Sequence, residues 1–168
     1  MDLEVIILAL ALIVSCVTLF VTCQTARRQL RAYVNVSDIS VNVITHPVAV
    51  LFKNLGQTPA YKCNAQVRLW AFEKGTEDFT LPQLPLESQA TLGAGMELPI
   101  GATWPQLNDV QVTALREGGL TVWMFGRIEY QDIYGRPHTT RFRFQYVSPD
   151  GAWKTSGFKV CPEGNDAN

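Results

Sequence analysis

The sequence predicts an all-β fold, an antiparallel β-sandwich with one short helix, preceded by a single N-terminal transmembrane helix. Three observations predict it: one long apolar run at the start, short stretches in which apolar and polar residues alternate, and turn-forming residues between those stretches. Alternation with a period of two is typical of a half-buried strand. We expect an anchor with its juxtamembrane extension over residues 1–31, a sandwich domain over residues 32–161 and a disordered tail over residues 162–168.

The apolar run covers residues 3–23, from Leu3 to Cys23, and Glu4 is its one charged residue. At a rise of about 1.5 Å per residue, it is long enough to cross a hydrocarbon core of about 30 Å, and no Pro or Gly interrupts it. The sequence therefore predicts that one span holds the protein in a membrane.

Basic residues follow the span but do not precede it. Arg27, Arg28 and Arg31 come after its C-terminal end, whereas the two residues before it include no Lys or Arg. Because Lys and Arg accumulate on the cytoplasmic side of membrane spans, we expect the domain to lie in the cytoplasm. Strong activity of a C-terminal alkaline phosphatase fusion would contradict this orientation.

Two other fates of the span are less favoured. A cleavable signal peptide has a basic start and a shorter apolar core, whereas the start of this chain is acidic and its apolar run is longer. A lipid-modified Cys16 would be followed by polar residues, whereas residues 17–21 are largely apolar.

A stripe of small residues in the span raises weak self-association as an alternative. Ser and Thr in a membrane helix usually donate their hydroxyls to the carbonyl four residues back, which needs no partner. The stripe comprises Ala11, Ser15, Thr18 and Thr22.

Charge and cysteine content exclude two classes of protein. Of the 14 Lys and Arg and the 15 Asp and Glu, 11 and 13 respectively lie from Tyr33 onward, and the basic residues are scattered. We therefore expect no nucleic-acid partner. Only Cys63 and Cys161 lie in the domain, so it is no disulfide scaffold.

The first half of the domain reads as three strands. An edge strand starts at Tyr33 and ends at His46-Pro47. Its apolar residues change from one face to the other at Ser37-Asp38, which predicts a bulge there. A central strand over residues 48–52 leads into a turn over residues 54–60, for which we expect a glycine with positive φ. The next strand alternates, with the inward residues Tyr61, Cys63, Ala65, Val67, Leu69 and Ala71.

The second half contains two brief strands, over residues 90–92 and 96–100, a short helix and a hairpin. The helix covers residues 107–117, with Asn108 and Gln111 forming a capping box and Gly118 ending it. In the hairpin, a type I turn with a glycine bulge pairs Asp132 with Arg136. This register sets Gly126 opposite Phe142, Ile128 opposite Thr140, Met124 opposite Phe144 and Phe125 opposite Arg143, with Glu129 diagonal to Arg141.

The turn Asn54-x-Gly56-x-Thr58-Pro59-Ala60, between two such strands, resembles the B to C turn of bacterial immunoglobulin-like sandwiches. The whole arrangement resembles small uncharacterised bacterial membrane proteins with one N-terminal transmembrane helix and such a domain. The resemblance implies an immunoglobulin-like fold and a single-pass anchor in the bacterial inner membrane. It implies no activity and no functional residues.

No group of residues predicts catalysis, a cofactor or a metal. His46 and His138 have no Cys or acidic residue at ligand spacing, and turn chemistry explains Asp132. We therefore expect a non-enzymatic, membrane-tethered binding or scaffolding module with a protein partner. The alternative is an envelope structural protein outside the cytoplasm, where Cys63 and Cys161 could pair.

Four large rings fall on the polar-facing parity of their strands and form a candidate partner patch: Trp70, Phe72, Trp123 and Phe125. Exposed, such a patch marks a binding surface. The favoured alternative is that the short helix or the proline-rich loops cover these rings and make a second small core.

Overall fold

The structure, a computed structural model, describes residues 3–41, 47–81, 89–147 and 157–167. A long helix precedes a mostly β domain with a second, short helix. The elements are α1 (Leu3–Gln29), β1 (Val34–Val41), β2 (Pro47–Asn54), β3 (Ala60–Glu73), β4 (Ala90–Leu92), β5 (Glu97–Thr103), α2 (Asp109–Arg116), β6 (Leu120–Gln131), β7 (Pro137–Val147), β8 (Gly157–Val160) and β9 (Asp166–Ala167).

Helix α1 is long and apolar enough to span a membrane, with a mean hydropathy of 2.9 over its 18-residue window, and none of that window is buried by the rest of the chain. The hydroxyls of Ser15, Thr18 and Thr22 each donate to the carbonyl four residues back, at 2.8 Å. These hydroxyls are therefore satisfied within the helix, as the favoured alternative predicts.

Two antiparallel sheets pack face to face. The smaller has the order β1-β2-β5, and the larger has the order β4-β3-β6-β7-β8, with β9 also paired to β7. Phe52 of β2 meets Phe142 of β7 edge to face, with the ring centroids 5.5 Å apart. The core between the sheets takes residues from both, among them Val34, Val48, Val50, Phe52, Val122, Met124, Ile128 and Phe142.

Several local predictions are confirmed. The register of β1 shifts between Val36 and Asp38, which is the expected bulge, and β2 lies between β1 and β5. In α2, the side chains of Asn108 and Gln111 accept from each other's backbone N–H groups, and Gly118 follows with a φ of 78°. The predicted end of the edge strand at His46 lies outside the described residues.

The hairpin of β6 and β7 has the predicted register. Gly126 lies opposite Phe142, and Phe125 lies opposite Arg143. In the turn, the Asp132 N–H donates to the Arg136 carbonyl at 3.1 Å, and Gly135 has a φ of 74°.

Glu129 lies diagonal to Arg141, as predicted, but the two side chains engage other partners. Glu129 lies 3.2 Å from Arg127 of its own strand, and Arg141 pairs with Asp166 at 3.0 Å. Asp166 belongs to β9, so the segment predicted as a disordered tail over residues 162–168 contains a short strand paired with β7.

Tyr61 also differs from its prediction, because it is 42% exposed rather than inward. The register between β3 and β6 shifts between Tyr61 and Asn64, and Lys62 has a φ of 52°. This bulge restores the inward parity only from Cys63 onward, so Tyr61 faces outward.

The junction between α1 and the domain is held by the loop that follows β2. The Thr58 hydroxyl donates to the Leu30 carbonyl at 2.5 Å, and the Leu55 N–H donates to the Tyr33 carbonyl at 2.7 Å. Gly56 lacks the positive φ that we expect. A Cβ at Gly56 would instead lie 2.6 Å from the Tyr33 nitrogen, so glycine is needed for close approach.

Asn54 connects this junction to the neighbouring turn. Its fully buried side chain accepts from the N–H groups of Tyr33 and Gly56, at 3.2 and 3.0 Å, and donates to the carbonyls of Thr58 and Leu92, at 2.8 and 3.1 Å. Asn54 therefore fixes the start of β1 to the loop over residues 55–59 and to the turn that follows Leu92. We call this end of the domain the anchor-proximal end; its loops are residues 55–59, 93–96 and 132–136.

Candidate binding surface

The four predicted patch residues lie on the outer face of the larger sheet, but they differ in exposure. Trp70 of β3 is 52% exposed, whereas Phe125 of β6 is buried. Phe72 and Trp123 are half-buried. Phe125 is therefore not accessible to a partner, and Trp70 is the most accessible of the four rings.

Phe79, from the segment after β3, lies over the rings that are covered. Its ring centroid is 5.7 Å from that of Phe72 and 5.2 Å from those of Trp123 and Phe125. Such edge-to-face contacts stabilise an aromatic cluster beyond its buried area. A loop therefore makes a second small core on this face, whereas α2 packs its Leu115 against the main core.

Arginines surround this aromatic cluster. Arg68 of β3 and Arg143 of β7 flank Phe125 on the two neighbouring strands. The Arg68 guanidinium lies 5.7 Å from the centre of the Trp70 ring, and that of Arg143 lies 3.6 Å from the centre of the Phe79 ring. Both are cation–π contacts, which keep the charged groups close to the rings.

The same face has an excess of positive charge in a domain that is acidic overall. By strand register and parity, its basic residues are Arg68, Arg127, Arg141, Arg143 and Lys159. Three acidic residues lie near this set: Glu129 and Asp166 are engaged with Arg127 and Arg141, and the pKa of Asp78 is lowered by its hydrogen bonds with Thr80 and by the charge of Arg68. The five basic residues still outnumber these three carboxylates. The outer face therefore attracts anionic groups.

Three buried polar atoms on this face have no hydrogen-bond partner among the described residues: Gln66 Oε1, Trp123 Nε1 and Arg127 Nε. The contact of Arg127 with Glu129 is close enough for an ion pair but is not aligned as a hydrogen bond. Gln66 and Arg127 lie directly opposite each other on β3 and β6. Trp123 lies opposite Trp70, whereas Gln66 and Arg127 lie four residues away along the same two strands.

A groove of about 490 Å³ lies along the other side of the domain, between β1 and the β7–β8 edge. Val36, Ile39 and Phe158 are among its apolar lining residues. The N–H groups of Val36 and Ile39 already donate to the side chains of Asn35 and Asp38, each at 2.8 Å. These two groups of β1 are therefore not free to pair with an added strand.

Asp132 and His138 form a close pair at the hairpin turn, which the sequence did not reveal. His138 Nε2 lies 3.0 Å from Asp132 Oδ2, while Oδ1 accepts from the N–H groups of Tyr134 and Arg136 at 2.8 and 3.0 Å. Burial on its own would raise the pKa of Asp132, but the His138 ring and the two N–H groups outweigh it, so this pKa is lowered. The carboxylate thus holds the turn in shape.

We expect Asp132→Asn to destabilise the protein by about 2 kcal/mol at neutral pH, because the amide replaces a hydrogen-bonded carboxylate. Since folding lowers this pKa, the carboxylate adds stability above the unfolded-state pKa of about 3.9, and the contribution is lost as the pH falls through the folded-state pKa. Chemical unfolding of both proteins from pH 7 to pH 3 should therefore show the difference shrinking below about pH 4. The exposed Asp38→Asn is the control, and a pH-independent difference would contradict the assignment.

Cys63 and Cys161 are buried, and neither forms a disulfide. Burial raises the pKa of both thiols. Strands β6 and β7 lie between β3 and β8, so the two cysteines are separated by about three strand spacings, or about 14 Å. A disulfide needs Cα atoms within about 7 Å, so the pairing considered for an envelope protein does not fit this fold.

A family model described as a domain of unknown function, DUF8453, matches residues 3–147. The chain belongs to the DUF8453 family. The matched region of this DUF8453 chain runs from α1 through β7 and so includes the helix as well as both sheets. The comparisons with curated proteins and with solved structures found no match.

Proposed function

We propose that this DUF8453 protein is a non-enzymatic, membrane-tethered binding module that engages an acidic segment of a protein partner. The observation that carries this proposal is the outer face of the larger sheet, where the exposed Trp70 lies beside Arg68 and a row of further basic residues. Trp and Arg are the residues that most often dominate binding energy at protein interfaces. Positive charge around a ring favours a partner that brings carboxylates to it.

The proposed domain type is an immunoglobulin-like sandwich. Strands β1, β2 and β5 take the places of A, B and E in one sheet, and β4, β3, β6 and β7 take those of C′, C, F and G in the other. Domains with this architecture bind through sheet faces or loops, and their function is set by the site rather than by the fold. The basic face is therefore the part of the domain that supports the proposed function.

The proposed location is the bacterial inner membrane, with α1 as a single span and the domain in the cytoplasm. The arginines at the C-terminal end of α1, Arg27 and Arg28, support this orientation. The separation of Cys63 from Cys161 removes the disulfide that an extracytoplasmic structural role would use.

We expect the full-length protein in nanodiscs to bind the acidic members of a peptide library of graded net charge. Trp70→Ala and Arg68→Glu should each weaken this binding about tenfold or more, because each removes a central contact. Arg116→Glu, the same charge reversal on α2, and Val110→Ala are the matched controls. Biolayer interferometry at two salt concentrations measures the effect.

Two results would contradict the proposed function. One is equal binding by the wild-type protein and the Trp70→Ala and Arg68→Glu variants. The other is an equal loss in Arg116→Glu, which would mean that net charge rather than the outer face attracts the peptides.

A further inference from the structure

A cleft of about 470 Å³ lies between the C-terminal turns of α1 and the hairpin turn of β6 and β7. Three guanidinium groups and an apolar ring line it. Its lining residues are Phe20, Cys23, Gln24, Arg27, Arg28 and Arg136. A cleft with positive charge at one end and apolar surface at the other matches a ligand with an anionic head and an apolar tail.

The position of the cleft along α1 fits the edge of a bilayer. If residues 3–23 cross the hydrocarbon core, Arg27 lies about 6 Å beyond its boundary, at 1.5 Å per residue. Headgroup layers are about 5–8 Å thick, so Arg27 and Arg28 lie at the depth of the lipid phosphates. Phe20 and Cys23 lie at the depth of the acyl chains.

The cleft is held in shape by contacts on both of its sides. The Arg27 guanidinium lies 5.7 Å from the centre of the Tyr134 ring in the hairpin turn. The turn itself is held by Asp132, and the end of α1 is held by the bond from Thr58 to Leu30. A pre-formed site binds its ligand with less ordering cost than two segments joined by a flexible linker.

Exposed apolar side chains gather at the anchor-proximal end of the domain. Beyond α1, nine large apolar side chains are exposed in the part of the chain that the structure describes, and six of them lie at this end. Scattered single residues need no explanation, but a concentration on one end next to a membrane span does. The six are Leu30, Leu55, Tyr61, Met96, Ile133 and Tyr134.

Among the residues that the structure describes, few free acidic groups oppose the arginines at this end. The carboxylate of Asp132 is buried and engaged in its turn, and Glu97 pairs with Lys53 at 3.0 Å. The guanidinium groups of the cleft therefore keep their attraction for an anion from the bilayer.

We propose that the cleft binds the phosphate headgroup of an anionic phospholipid, with Arg27, Arg28 and Arg136 around the phosphate and an acyl chain along Phe20. The proposal rests on α1 being a membrane span, and it is independent of any protein partner of the outer sheet face. The apolar loop tips then contact the same leaflet, as amphipathic residues do at membrane interfaces.

The test is native mass spectrometry of the full-length protein released from nanodiscs that contain equal amounts of phosphatidylglycerol and phosphatidylcholine. We expect the wild-type protein to retain phosphatidylglycerol preferentially. In Arg28→Gln/Arg136→Gln, the retained fraction should fall about 25-fold, at about fivefold per arginine. The control is Lys74→Gln/Arg116→Gln, which removes two exposed charges at the opposite end of the domain and should retain lipid as the wild type does.

Three outcomes would overturn the proposal. The first is equal retention of the two lipids by the wild-type protein, and the second is an unchanged fraction in Arg28→Gln/Arg136→Gln. The third is displacement of the lipid by soluble glycerol phosphate at equal concentration, which would make the cleft a site for free anions. None of these outcomes would affect peptide binding at Trp70, so failure here and failure of the proposed function are distinguishable.

Discussion

Replacement of Asn54 by Ala is expected to lower the free energy of unfolding by about 4 kcal/mol, because it leaves buried polar groups without partners. The N–H groups of Tyr33 and Gly56 lose their acceptor, and the carbonyls of Thr58 and Leu92 lose their donor. A domain of this size is stable by only about 5–15 kcal/mol, so this single change removes a large part of the total.

Guanidinium unfolding of the detergent-solubilised full chain, followed by tryptophan fluorescence, measures this effect. Asn54→Asp should also be destabilising, because a carboxylate keeps the acceptor but loses both donated hydrogen bonds. Asn64→Ala, on the outer face of β3, is the control and should change stability by less than about 0.5 kcal/mol. A loss below about 1 kcal/mol in Asn54→Ala would contradict the role given to this side chain.

Gly126→Ala is expected to cost about 3 kcal/mol, because a Cβ at this position has no room. It would overlap the backbone oxygen of Gln66 on β3 and lie 2.5 Å from Cζ of Phe142 on β7. The Phe142 ring can shift, but the Gln66 oxygen cannot move without separating β3 from β6.

A double variant separates the two contacts. Phe142→Leu should relieve the ring contact in Gly126→Ala but leave the backbone contact, so the two losses should be less than additive while the protein stays destabilised. Gly101→Ala in β5 is the matched control, because a Cβ there meets nothing within 4 Å. Equal effects of Gly126→Ala and Gly101→Ala would show that β3 and β6 tolerate the extra carbon.

The hairpin register could be predicted because two independent signals agree on it. The turn over Asp132 and Gly135 fixes the loop length, and the inward residues of both strands then match only in one parity. The bulge in β1 could be predicted for a similar reason, because the apolar residues of this strand change face at Ser37. By contrast, the bulge at Lys62 leaves the apolar pattern unbroken, so the outward turn of Tyr61 had no sequence signal.

The basic face could be predicted only in part. Alternation within each strand places Trp70 and Phe125 on the outer side, but it does not say what covers them. Phe79 lies in a segment without periodicity, so its position over Phe125 depends on contacts that sequence patterns do not encode. The position of Arg68 and Arg143 on either side of Phe125 likewise requires the pairing of β3 with β6, whose residues are far apart in the chain.

The fixed junction between α1 and β1 also has a mechanical consequence. Because Thr58 and Leu55 donate hydrogen bonds to the segment immediately after α1, a rotation of the helix about its own axis turns the β domain with it. If α1 spans a bilayer, the direction in which the Trp70 face points around the membrane normal is therefore set by the rotation of the helix. Any contact that fixes this rotation within the membrane would also fix the orientation of the basic face.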